Sequence, residues 1–329
     1  MNAKYFFVSL AFAAVMLTTA CKKEAPQIDY RAEMRAFVQK INMRGEQLKP
    51  GFLVVPQNGE ALLTTDGTPA GTPETNFINA IDGFGREELL YGYNNVDDEL
   101  TPAEEKTNWE EMCSLGNSLG KKILVTDYCF TPSKMDDSYS RNAALGFISF
   151  AASSRELDNV PAYPASPFNM NTDSVDGLNG RNFLYLINPE KFADKESYLR
   201  ALEQSHYDII LIDLYWTGGD EPEALTATEV ARLRTKPGGG TRTLLCYMSI
   251  GQAESYRYYW SPLWNAQPPA FIVGEDQSWI DNFYVNYWDA NWQDVICGSG
   301  DSYLKRITDA GFDGVYLDLV NAYEFFEER

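Results

Sequence analysis

Short apolar runs recur along this chain, separated by polar turns and by segments whose apolar residues fall three and four apart. The first amphipathic segment follows Asp29, a capping residue, and places Met34, Phe37, Val38 and Ile41 on one helical face. Pro50-Gly51 then leads into Phe52–Val55, an all-apolar run of the kind buried in a parallel sheet. Residues 78–91 hold a short strand and turn. Thr101-Pro102-Ala103-Glu104 reads as a capping box opening a helix to about Leu119, and a strand follows at Ile123–Asp127. Residues 131–182 read as irregular apart from an apolar run at Phe147–Ala152, with a long loop rich in Pro, Asn, Asp and Gly over 158–180. Strands are expected at Phe183–Ile187, Ile209–Leu214, Leu244–Ile250, Phe283–Trp288 and Gly314–Leu319. Helices are expected from about Asp194, from the capping box Thr226-x-x-Glu229, and around Trp292, Val295 and Ile296. About eight strands alternating with helices predict an α/β fold, a single (β/α)8 barrel over 29–329.

The N-terminus has a different pattern. Lys4 precedes an apolar stretch at residues 5–17, and the small residues Thr18, Thr19 and Ala20 precede Cys21. This is the plan of a secretory signal peptide, 1–20, too short and wrongly flanked for a membrane span. The position of Cys21 predicts lipid attachment at its sulfur, with 21–28 as anchor and tether. The expected location is therefore the cell envelope, periplasmic or on the outer-membrane surface.

Charge and residue counts narrow the chemistry. Against 27 Lys and Arg stand 47 Asp and Glu, for a formal charge of −20. Such a surface does not neutralise phosphates, so nucleic acid is not an expected partner. The single histidine, His206, removes an HExxH metal site, and no GxSxG, GxxxxGK[ST] or GxGxxG motif is present. Acid–base work falls to carboxylates and tyrosines, and no metal or cofactor is called for. The spacing of Cys113, Cys129, Cys246 and Cys297 matches no zinc pattern.

In a barrel of this kind, reactive groups gather at the C-terminal ends of strands. Those ends carry Gln57, Asn58 and Glu60; Asp127; Asp213; Tyr247, Ser249 and Glu254; Asp289; and Asp318, Asn321 and Tyr323.

Four blocks carry a family resemblance: CYMSIGQAESYRYYW (246–260), NYWDANWQ (286–293), GFDGVYLDLVNAYEFF (311–326) and FLVVPQNGEALL (52–63). Together they resemble glycoside hydrolase family 114, TIM barrels that include endo-α-1,4-polygalactosaminidases. Part of that family carries an old label relating it to cysteinyl-tRNA synthetase, whose HIGH motif a chain with one histidine cannot hold. The PQNGE block usually follows the YLDxxDAY block, whereas here it comes first, so the chain resembles a circular permutant of the family.

The resemblance implies an exported glycosidase that cleaves an α-linked polysaccharide, with a galactosamine-containing one as a candidate, by endo action with two carboxylates. It implies Asp318 as nucleophile and Glu60 as acid/base, with the two roles exchangeable. Asp213, Tyr247, Ser249, Glu254, Asp289, Asn321 and Tyr323 would line the sugar cleft together with Gln57, Asn58 and Asp127. Gln252 and Asn321 stand where the family often has acids, which argues for altered specificity. The competing expectation is a non-catalytic carbohydrate-binding lipoprotein on the same scaffold. The expected partners are the glycan and, through Cys21, the membrane; the protein is expected to be a monomer. Because a helix precedes the first strand, the residues near Asp29 are expected at the same rim as Asp318.

Overall fold

The computed structural model describes residues 28–217 and 222–329. The signal segment, Cys21 and the tether through residue 27 lie outside the described residues.

Helix α1 (Tyr30–Leu48) forms where its apolar stripe predicts, and Met34, Phe37, Val38 and Ile41 are buried. Asp29 caps it by accepting the Ala32 N–H at 2.9 Å. The chain then enters β1 (Leu53–Pro56), passes a short helix α2 (Thr75–Asn79) and forms β2 (Gly83–Glu87). Helix α3 (Ala103–Ser118) follows, but not through the expected capping box. The Thr101 hydroxyl donates to the Glu88 carbonyl at 2.6 Å, and Pro102 occupies the cap with no side-chain bond.

Strands β3 (Lys122–Tyr128) and β4 (Ile148–Ala152) flank a helix that the sequence pattern does not suggest, α4 (Pro132–Ala144). Ser138 and Asn142 are fully buried on its inner face alongside Met135 and Tyr139. A helix with half its buried face polar has no hydrophobic periodicity to betray it. The 158–180 segment is loop, as expected.

The remaining parallel strands are β5 (Phe183–Leu186), β6 (Ile209–Ile212), β9 (Thr243–Ser249) and β13 (Gly314–Asp318). Between them lie α5 (Lys195–Gln204) and α6 (Ala227–Arg232), which start at capping boxes on Asp194 and Thr226. A small hairpin joins β7 (Tyr215–Thr217) to β8 (Glu223–Ala224). Two parallel sheets result, β1-β13-β9-β6-β5 and β2-β3-β4. A parallel bridge between Gln57 and Gly85 links β1 to β2, and β4 lies against β5.

The run expected as a barrel strand near 283–288 is instead β12 (Asn282–Val285). It pairs antiparallel with β10 (Gln252–Glu254) and β11 (Ile272–Glu275) in a separate sheet. Its aromatic neighbours explain the misleading pattern. Tyr287 and Trp288 pack on Phe326 and Tyr30 rather than inside a parallel sheet. Helices α7 (Ala290–Gln293), α8 (Tyr303–Ala310) and α9 (Tyr323–Glu327) complete the chain.

Helix α1 begins beside α9. The Arg31 guanidinium holds the Glu327 carboxylate through two bonds of 2.9 and 3.1 Å, and the Tyr30 ring lies 5.4 Å from that of Phe326. Arg35, buried one turn on, donates to the Leu62 and Thr64 carbonyls just beyond β1. The start of α1 is thus at the C-terminal side of β1 and β13, the side that carries Asp318.

Candidate active site

At the C-terminal ends of the parallel strands the structure opens a cavity of about 700 Å³. Asp318 ends β13, at the inner wall. Tyr247, one strand over on β9, donates its hydroxyl to Asp318 Oδ2 at 2.7 Å, and the Leu319 N–H donates to Oδ1 at 2.7 Å. Leu319 adopts φ +56°, an uncommon conformation for a bulky residue, of the kind concentrated at functional sites. Burial, and then the charge of Glu87, push the Asp318 carboxyl up to about 7 against the pull of its two donors.

Glu87 lines the same cavity and its charge acts on Asp318, and the sequence did not single it out. It ends β2, two residues beyond Gly85 and therefore on the same strand face. Gly85 itself cannot carry a side chain, because a Cβ there would overlap the Tyr316 hydroxyl. Three donors converge on Glu87: the Gln57 amide, the Asn58 amide at 2.9 Å and the Tyr128 hydroxyl. Tyr185 donates to Gln57 Oε1 at 3.1 Å, which turns the amide nitrogen of Gln57 toward Glu87. The sequence does hold an acid at this strand end, but the pattern of 78–91 does not locate where the strand stops.

A second charged group sits on the cavity wall. Arg257, almost wholly buried, binds Asp213 at 2.7 Å and Glu254 at 2.7 Å. Tyr256 also donates to Glu254 at 2.7 Å, and the Tyr215 N–H to Asp213 at 2.8 Å. Burial raises the proton affinity of Asp213 and Arg257 opposes it. The two expected cleft acids are therefore present but already engaged by one cation.

The other candidates divide. Gln57, Asn58, Tyr247 and Asn321 line the cavity with Asp318, and Gln57 and Asn58 orient Glu87 rather than Glu60. Ser249 is buried, and its hydroxyl donates to the Gln252 carbonyl at 3.1 Å; it is not on the cavity wall. Asp127 is fully buried and accepts from the Leu90 and Tyr91 N–H groups, Ser138 and Asn142, so it ties β3 to its surroundings and lies off the cavity. Asp289 caps α7 through the Asn291 N–H at 2.8 Å and is also outside the cavity. Glu60 and Tyr323 line a neighbouring pocket of about 610 Å³ instead. Glu60 begins the short helical turn after β1, where Arg86 binds its Oε1 at 2.8 Å. Arg86 and Glu87 alternate along β2, so one faces Glu60 and the other Asp318.

Residues 181–329 match glycoside-hydrolase family GH114. That segment contributes Asp318, Tyr247, Asp213, Glu254 and Arg257. The chain is 36% identical over 134 residues to an uncharacterised protein of Deinococcus radiodurans, covering 41% of this chain and 40% of that one. It is 32% identical over 128 residues to an uncharacterised protein of Thermotoga maritima, covering 39% and 37%. It is 32% identical over 186 residues to one of Methanocaldococcus jannaschii, covering 56% and 50%. The matches thus span half or less of these relatives' own lengths.

Proposed function

We propose that this protein is a glycoside hydrolase that uses Asp318 and Glu87 as its paired carboxylates. The observation that carries the proposal is their placement in one open cavity with opposed environments. Asp318 is desolvated and holds a proton to about pH 7, while Glu87 is met by three donors. Hydrolysis of a glycosidic bond needs that asymmetry. Asp318 gives its proton to the leaving oxygen as the bond to the anomeric carbon breaks. Glu87 either supplies the electron pair to that carbon or takes a proton from the water that does. In the first case water then displaces Glu87 from the sugar and gives its proton to Asp318; in the second the proton taken by Glu87 returns to Asp318 through solvent, so either way a hydroxyl ends on the sugar and both carboxyls regain their starting state. This exchanges the role that family resemblance gives to Asp318 and moves its partner from Glu60 to Glu87. The match to a glycoside-hydrolase family over the segment holding Asp318 supports the reaction class.

We further propose that the two parallel sheets close as one (β/α)8 barrel in permuted order. The Gln57–Gly85 bridge, the β1–β13 ladder and the contact of α1 with α9 support it. An envelope lipoprotein anchored at Cys21 remains our proposal for its location. With α1 starting beside α9, such an anchor would hold the cavity mouth near the membrane.

The test is a panel of α-linked polysaccharides, neutral and amine-bearing, followed by release of reducing ends. Asp318→Asn and Glu87→Gln are each expected to lower kcat by at least ~10³-fold, in line with removal of a catalytic acid or base. Asp289→Asn is expected to retain wild-type rates. Activity in the Glu87 variant equal to wild type would refute the assignment.

A further inference from the structure

Six of the seven tryptophans of this chain lie against another aromatic ring. Among the described residues Trp279 does not. It is 54% exposed and lines the main cavity from the loop that joins β11 to β12. A large ring left open to water adds nothing to the core, and at the edge of a cavity it is free to meet a ligand.

The loop beneath the ring is tied at both ends. The Gln252 amide, at the start of β10, donates to Asp276 Oδ2 at 2.7 Å, and the Ser278 N–H donates to Oδ1 of the same carboxylate at 2.9 Å. The Asn282 N–H donates to the Trp279 carbonyl at 3.2 Å. On the other side Ser255 donates twice to Asp281, from its hydroxyl to Oδ1 at 3.0 Å and from its N–H to the carbonyl at 2.8 Å. A ring fixed this way loses little conformational freedom when a ligand covers it.

Gln252 is 1% exposed, lies on the cavity wall, and stands where the resembled family often has an acid. An acid there would set a like charge against Asp276 and turn the tie into a repulsion. The exposed apolar pair at the tip, Trp279 and Ile280, is flanked by Glu275, Asp276 and Asp281, a poor match for the anionic surface of a membrane.

We propose that Trp279 is the stacking platform of an outer sugar site, taking the C–H face of a pyranose unit other than the one at Asp318, and that Gln252 positions this platform by holding Asp276. The proposal rests on the glycan reading of the cavity, but not on hydrolysis taking place. The contact uses ring area alone, so it reads a pyranose face and not a charge.

The experiment uses the full chain carrying Asp318→Asn, so that no ligand is turned over. Maltohexaose and the α-1,4-linked galactosamine hexamer, one neutral and one cationic, are titrated by calorimetry. Adding Trp279→Ala is expected to weaken every hexamer that this parent binds by about tenfold, and Trp279→Phe by no more than about threefold. Gln252→Glu is expected to cost about fivefold, and combining it with Asp276→Asn, which restores a hydrogen bond of opposite sense, to return affinity to within about twofold of the parent. In the chain that already carries Trp279→Ala, Gln252→Glu should change affinity by less than about twofold, because its effect runs through the ring. Parent-like binding by Trp279→Ala overturns the proposal, and a Gln252→Glu loss that is the same with and without Trp279 overturns the positioning role. Loss of phosphatidylcholine-vesicle binding in place of hexamer binding would give the tip to the membrane instead. Failure of both hexamers to bind the parent would remove the platform and the glycan reading together. Turnover by the chain with Asp318 intact is scored separately, so a Trp279-dependent binder that hydrolyses nothing would leave this inference standing and remove the enzymatic one.

Discussion

Asp318 gathers its behaviour from three neighbours: the solvent-poor wall, the Glu87 charge and the Tyr247 hydroxyl. Tyr247 stabilises the charged form. Tyr247→Phe should therefore let Asp318 hold its proton to higher pH. With Asp318 as proton donor, the alkaline limb of the rate profile should sit near pH 7 in the wild type and move up by roughly one unit in the variant, read from kcat/KM against pH. Stability should respond to the same carboxyl. Its folded affinity for protons exceeds that of an unfolded aspartate, so between about pH 4 and 7 the native state binds more protons and stability falls as pH rises. Asp318→Asn removes the charge, so it should melt at the wild-type temperature near pH 4 and roughly 5 °C higher at pH 8. A difference independent of pH would contradict this account. Asp318 was visible in the sequence as an acid ending a well-marked strand. Glu87 was not, because its strand GFGRE has only one large apolar residue and too weak a pattern to show where it stops.

At the level of elements, β2 is placed by what it leaves out. Gly85 yields room to the Tyr316 hydroxyl from β13, and this close approach lets Gln57 bridge β1 to β2 with Glu87 turned to the cavity. Gly85→Ala is expected to lower stability by about 2 kcal/mol or more through overpacking, measured by urea denaturation, and a Tyr316→Leu partner should recover part of the loss. Helix α4 and strand β12 show the two ways in which pattern misled. The inner face of α4 is polar because Ser138 and Asn142 satisfy the buried Asp127, so a real helix lacked its stripe. The aromatic run around β12 looked like a core strand because its rings fill the space above the rim, where Tyr284 stacks on Phe325 at 3.8 Å. The fully buried strands, the helix start near Asp194 and the capping box at Thr226 were legible because their cause is local.

For the whole molecule, the meeting of α1 and α9 makes the order of the chain testable. We expect a chain in which a short linker joins Arg329 to Asp29, opened anew between the exposed residues Ala165 and Ser166, to unfold cooperatively and keep activity within several-fold of the parent. Failure of that chain to fold would argue against a permuted barrel. Sequence alone determined the alternation of strands and helices, the concentration of acids at strand ends and the exclusion of an HExxH metal site, since these follow from periodicity and composition. It could not decide which acids meet. Glu60 and Glu87 both follow strands near Asp318, and the alternation of side chains along β2, with Arg86 turned one way and Glu87 the other, sends one carboxylate to each pocket. That choice depends on strand register across parts of the chain far apart in sequence, and only the tertiary structure sets it.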